Sequence, residues 1–209
     1  MSKSAFSIAS AFVGLAALLP AGALAAGLPP EYYYPPAKCP VTTNTIVGTE
    51  GNDVLTGTSL NDLIVAFGGN DRADGKKGND CLLMGTGNDR AKGSQGNDAI
   101  FGNEGNDRLY GNTGNDYVDG GAGKDRVSGG PGNDKVKGGT GDDFVKGDSG
   151  NDVVSGGTGN DSLIGGGGAD TLKARDGYRD RVNCGGGKDV AIVDAKDIVS
   201  RNCETVRVG

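Results

Sequence analysis

Aspartate recurs every nine residues from Asp53 to Asp170, fourteen times without a slip. The series is Asp53, Asp62, Asp71, Asp80, Asp89, Asp98, Asp107, Asp116, Asp125, Asp134, Asp143, Asp152, Asp161 and Asp170. A strict short period marks a repeat architecture, in which no unit can bury a core alone and stacked neighbours share one. We number each unit so that this Asp is sixth. Gly then fills position four in thirteen units (Leu60 is the exception) and position one in twelve (Ala66 and Met84 are the exceptions). Asn fills position five in eleven, replaced by Lys124, Asp142 and Ala169. Position eight is apolar in all fourteen, from Leu55 and Ile64 through Val118 and Val136 to Leu172. Gly at one and four, with Asn at five, predicts a tight turn with left-handed backbone. Positions seven to nine read as a short strand, its middle residue inward and its flanks outward.

Composition bears on whether such a chain folds at all. Gly supplies 41 of 209 residues, aromatics are 5%, and Trp and His are absent. These values suit either disorder or a stacked repeat with a thin core held by something besides apolar burial. The 27 acidic residues outnumber the 21 basic ones, for a net charge of −6. That argues against nucleic acid, whose phosphates need a basic surface. Without His, imidazole metal sites are excluded. Carboxylate and carbonyl oxygens remain, and these suit hard cations such as Ca²⁺.

GTEGNDVLTG, GNEGNDRLYG, GGPGNDKVKG and GGTGNDSLIG, all in phase, resemble the GGxGxDxUx nonapeptide of haemolysin-type (RTX) calcium-binding proteins. The resemblance spans residues 48–173, about 60% of the chain. It implies an all-β fold, a right-handed parallel β-roll. Each turn would use two nonapeptides, and Ca²⁺ would sit between loops eighteen residues apart. The aspartates then divide into two columns of seven, one from Asp53 to Asp161 and one from Asp62 to Asp170. Six gaps per column give room for several ions, up to about twelve. Each would take carboxylates from two successive Asp together with turn carbonyls, and six oxygens suit Ca²⁺ at ~2.3–2.6 Å. Neighbouring carboxylates one strand spacing apart, ~4.8 Å, repel by ~1 kcal/mol in water and by several in a less polar setting. Folding coupled to Ca²⁺ binding is therefore expected. The Asp62 loop is the doubtful one, because Leu60 replaces its Gly, while Lys124 and Ala169 alter position five. Units 75–161 should bind best.

Outside the repeats, Lys3, the apolar run from Ala5 to Leu19 and Ala23-Leu24-Ala25 read as a secretory signal peptide over 1–25. The run is short for a membrane span, so a secreted, extracellular protein is expected. Residues 26–47 read as an N-terminal cap and 174–209 as a polar C-terminal cap. Cys39, Cys81, Cys184 and Cys203 suggest two disulfides in an oxidising compartment. Cys39 could bridge to Cys81, and Cys184 and Cys203 fall together in the C-terminal cap. Asp180 and Asp189 are one residue out of phase. With Asp176, Asp194 and Asp197 they could hold a further ion or be surface charges.

At position seven, Arg72, Arg90, Arg108 and Arg126 should line one face. They form either a stripe for a polysaccharide or cell surface, or a solvated face partly neutralised by Asp74. Leu63, Val65, Cys81, Leu83, Ala99 and Phe101 should form an outward apolar patch, covered by residues 28–47 with Tyr32, Tyr33 and Tyr34, or open to a partner. The position-three columns carry no regular Thr array, which argues against ice binding. No HExxH, no GxSxG and no His is present, and about 22 residues between the signal and the first repeat are too few for a catalytic domain. The expectation is a calcium-binding structural or surface protein, a monomer and not an enzyme, with calcium-dependent adhesion as the alternative.

Overall fold

The computed structural model describes residues 38–209. The expected signal peptide, residues 26–37 and the three tyrosines lie outside the described residues. The strands are β1 (Asn44–Val47), β2 (Val54–Thr56), β3 (Asp62–Val65), β4 (Arg72–Lys77), β5 (Cys81–Thr86), β6 (Arg90–Gln95), β7 (Ala99–Glu104), β8 (Arg108–Thr113), β9 (Tyr117–Ala122) and β10 (Arg126–Pro131). They continue as β11 (Lys135–Thr140), β12 (Phe144–Ser149), β13 (Val153–Thr158), β14 (Ser162–Gly167), β15 (Thr171–Ala174), β16 (Arg181–Gly186), β17 (Val190–Val193), β18 (Ile198–Val199) and β19 (Thr205–Val208). Odd-numbered strands form one parallel sheet and even-numbered strands the other. The chain crosses between sheets after every strand, so two nonapeptides make one turn of a β-solenoid. Among the described residues no helix is long and apolar enough to cross a membrane.

The period fixes the register. Val136 pairs with Val118 on one side and Val154 on the other, eighteen residues away each time. Position eight therefore stacks on itself, and every member of that column from Leu55 to Leu172 is buried. Burying a Val or Leu side chain stabilises by about 1.5–3 kcal/mol, and one such residue per nine makes a thin core. The strands run longer than positions seven to nine. In β6 the pairing skips Gly93 and resumes at Ser94 and Gln95, and Gly93 is buried like Ala91. Position one is thus a second inward site, and the turn shrinks to positions four to six.

The outward apolar patch is partly enclosed. Leu63, Val65 and Cys81 are buried, with Cys39, Phe67 and Leu83 packed against them. The Cys39–Cys81 disulfide, Cα atoms 5.2 Å apart, pins the N-terminal segment to this face. Lys38 Nζ lies 5.9 Å from the Tyr117 ring centre further along it. At the other end, β16–β19 continue both sheets, and a disulfide joins Cys184 to Cys203. The register there slips to nineteen, pairing Leu163 with Val182 and Leu172 with Ala191. An extra residue between Ala174 and Asp180 absorbs the slip.

Candidate metal centre

The bend between strands is shaped by two residues with left-handed backbone, one at position two near the end of the strand and one at position four in the turn. In the loop before Asp143 these are Gly139 (φ 123°) and Gly141 (φ 124°). Glycine at position one has another use. A Cβ on Gly102 would collide with both Asp107 Oδ2 and the carbonyl oxygen of Gly120 in the next turn. The same arrangement recurs at Gly120 with Asp125 and Gly138, and at Gly138 with Asp143 and Gly156. Asn at position five is not left-handed either; its side chain forms a ladder. The Asn106 amide donates to Asn88 Oδ1 at 2.8 Å and the Asn88 amide to Asn70 Oδ1 at 2.8 Å. The Lys124 amide donates to Asn106 Oδ1 and the Ala169 amide to Asn151 Oδ1, but neither side chain offers an acceptor to the next turn.

Asp53 is half-buried; from Asp62 onward the position-six aspartates point into the turn, almost fully buried. Each uses one oxygen structurally: the amide of Asp89 donates to Asp107 Oδ1 at 2.8 Å, and that of Asp107 to Asp125 Oδ1 at 2.8 Å. The other oxygen, Oδ2, has no hydrogen-bond partner in Asp71, Asp80, Asp89, Asp98, Asp107, Asp116, Asp125, Asp134, Asp143, Asp152, Asp161, Asp170, Asp180 and Asp189. A buried polar group without a partner costs about 1–3 kcal/mol, and more when charged. Fourteen of them would rival the whole stability of an ordinary domain, about 5–15 kcal/mol.

Burial shifts these carboxyls accordingly. Asp98, Asp107, Asp134, Asp143 and Asp180 are pushed up to about 7. Asp80, Asp89, Asp116, Asp152 and Asp161 are pushed up to about 6. Loss of hydration is the first cause in each case. The amide hydrogen bond from the preceding turn opposes it, and for most of these groups neighbouring carboxylates in the column add to it.

Asp53 and Asp62 differ from the other twelve repeat aspartates. Asp53 Oδ2 accepts from the amide and hydroxyl of Thr49 at 2.6 and 2.9 Å. Asp62 Oδ2 accepts from the amide and hydroxyl of Thr58 at 2.6 and 3.1 Å. Neither loop contains a left-handed residue, whereas each later repeat loop contains two. The cause lies at position two, where β-branched Thr resists positive φ. Asn44 Nδ2 caps Asp62 Oδ1 at 2.7 Å. The doubt about the Asp62 loop thus falls on Thr58 more than on Leu60, and extends to the Asp53 loop through Thr49.

Sequence reading by strict period missed Asp180 and Asp189 as column members. Both are buried, and both receive the amide from the turn below, Asp161 to Asp180 at 2.8 Å and Asp170 to Asp189 at 2.9 Å. The Asp-x-apolar pattern of Asp180-Arg181-Val182 and Asp189-Val190-Ala191 was the available signal. Asp176 and Asp194 accept backbone amides at the periphery instead.

Among the described residues, no three acidic or thiol side chains converge on one point. The donors that do converge are a carboxylate oxygen and a backbone carbonyl across a gap that a single methyl group would fill. This all-oxygen set fits a hard cation, and the fit rests on the orphaned Oδ2 atoms and the Cβ-free cradle.

The position-seven arginines stack in register, Arg72 on Arg90 on Arg108 on Arg126. Asp74 forms no ion pair with them, its carboxylate being held by Lys76 at 2.9 Å and by the Ser94 hydroxyl at 2.9 Å. Ion pairs among the described residues are all Lys–Asp.

No curated protein matches the chain. The family model for the RTX calcium-binding nonapeptide repeat matches residues 47–80, 85–118, 101–136, 119–154, 137–172 and 146–179, well over half the chain. With one parallel solenoid and a buried carboxylate in every repeat loop from Asp62 to Asp170, the chain belongs to the RTX calcium-binding nonapeptide repeat family.

Proposed function

We propose that this is a secreted, monomeric, non-catalytic calcium-binding structural protein whose roll folds as Ca²⁺ fills two columns of loop aspartates. The ligands in the repeats are Asp71, Asp80, Asp89, Asp98, Asp107, Asp116, Asp125, Asp134, Asp143, Asp152, Asp161 and Asp170. Each offers Oδ2, and for Asp80, Asp107, Asp116, Asp125, Asp143, Asp152 and Asp170 the position-one carbonyl of the next turn faces it. The observation that carries this reading is the row of buried carboxylate oxygens without a donor. Bound Ca²⁺ would supply the positive charge that offsets both desolvation and repulsion within a column. Two disulfides accord with an oxidising compartment, and the expected signal peptide with export. The test is calcium titration by calorimetry of the wild-type chain and of Asp107→Asn/Asp116→Asn. The double variant should bind fewer ions with a weaker midpoint; unchanged stoichiometry would refute the ligand assignment.

A second reading, calcium-dependent adhesion, is favoured by the arginine ladder. Four guanidinium groups at strand spacing lack carboxylate partners, and only Arg90 rests near an aromatic ring, 5.7 Å from the Tyr110 centre. Such a row suits an anionic polysaccharide or cell surface. Retention of Arg90→Ser/Arg108→Ser on an acidic-glycan resin, equal to wild type, would sink it.

A further inference from the structure

We infer that the calcium columns are offset from the repeat: they open at Asp71 and Asp80, and they run beyond the last nonapeptide through Asp180 and Asp189. This rests on the calcium reading above and goes further in assigning ligands outside the repeats.

The C-terminal extension stands on more than acidity. Asp180 is 0% exposed and Asp189 1%, and each has an Oδ2 without a donor. The Asp189 loop repeats the geometry of the central loops, with Gly185 (φ 100°) and Gly187 (φ 146°) at positions two and four. Its position one is Cys184, whose carbonyl oxygen faces Asp170 across Gly165 where other turns present a glycine carbonyl. The Cys184–Cys203 disulfide thereby fixes a candidate ligand carbonyl. Asp180 reaches the same placement through a loop one residue longer, with Gly177 (φ 86°) as its left-handed residue.

Both columns then stop for visible reasons. Asp197 has both oxygens hydrogen-bonded, to the amides of Asp180 at 3.0 Å and Asp194 at 2.8 Å. Glu204, exposed, takes the Asp189 amide at 2.8 Å. At the opposite end Thr49 and Thr58 supply the donors that saturate Asp53 and Asp62. The roll is closed at each end by hydrogen bonds in place of a cation.

Native mass spectrometry of the full chain in calcium counts the ions. Asp180→Asn/Asp189→Asn should lower the count, while Asp53→Asn/Asp62→Asn should leave it at the wild-type value. An unchanged count in the first variant, or a lowered one in the second, overturns the inference. Failure of the underlying reading looks different: no ions on wild type, or a full complement on Asp107→Asn/Asp116→Asn. Should the cap variant not fold, amide exchange on the unmodified chain decides. Calcium raised from a level that just folds the chain to saturation should slow exchange further across β16 and β17 than across 44–58; the reverse pattern overturns the proposal.

Discussion

The loops GTEGND (residues 48–53) and GGTGDD (residues 138–143) share glycine at positions one and four and aspartate at six, yet have opposite chemistry. In the first, the aspartate is a turn residue, its oxygen saturated by Thr49. In the second, Asp143 is buried with Oδ2 unpartnered. Position two makes the difference. Gly139 adopts a positive φ that Thr49 does not, which leaves the Asp143 carboxylate without a donor from its own loop. The backbone at position two thus goes with whether an aspartate closes a turn or is left without a donor from its own loop. The two N-terminal loops should accordingly bind no calcium of their own, while the central loops depend on it.

Acidification in chelator should have the largest effect. The central carboxyls rise from an ordinary 3.8 to about 6 or 7. Between these values the folded state holds more protons than the unfolded one, so stability falls as pH rises. The contribution is fully present below about pH 4 and lost above about pH 7. Without calcium, the far-UV spectrum should gain β structure as pH drops through that window; with calcium, affinity should weaken over the same range. When chelator is added to the calcium-loaded chain at pH 8, amide exchange should rise in the central loops before residues 44–58.

Glycine substitutions sharpen the contrast. Gly123→Ala would force φ of 136° on Ala and drive its Cβ into the Gly105 carbonyl, for about 2–4 kcal/mol by denaturant titration. Gly51→Ala meets nothing nearer than Thr49 Oγ1 at 3.6 Å, with ordinary backbone. It should be neutral or gain up to about 1 kcal/mol. Thr49→Gly/Thr58→Gly aims to break the difference. It should cost about 1–3 kcal/mol in chelator through lost donors, and part of that should return on adding calcium. Asn88→Ala removes one rung of the exposed ladder and should cost about 1 kcal/mol, with or without calcium.

Much of this was legible in the sequence. Period-nine Asp and the apolar position eight dictate the stacking, the eighteen-residue register and the buried columns. Cys39–Cys81 and Cys184–Cys203 were both readable from position. What escaped was conformational detail that residue type alone underdetermines. Gly at position one is small to admit a carboxylate, and Asn at five bonds the next turn; left-handed backbone belongs to positions two and four, where Lys76, Asn112 and Asp148 adopt it as well as Gly. A one-residue insertion hid Asp180 and Asp189 from a strict count, although the pairing recovers with a register of nineteen.

The central claim is that burying these aspartates requires calcium. Far-UV circular dichroism from a chelated start at pH 7.5, titrated with Ca²⁺ and separately with Mg²⁺, tests it most directly. The account predicts a cooperative coil-to-β transition with Ca²⁺ and none at equal Mg²⁺. A full β spectrum already present in chelator, unchanged by calcium, would contradict it.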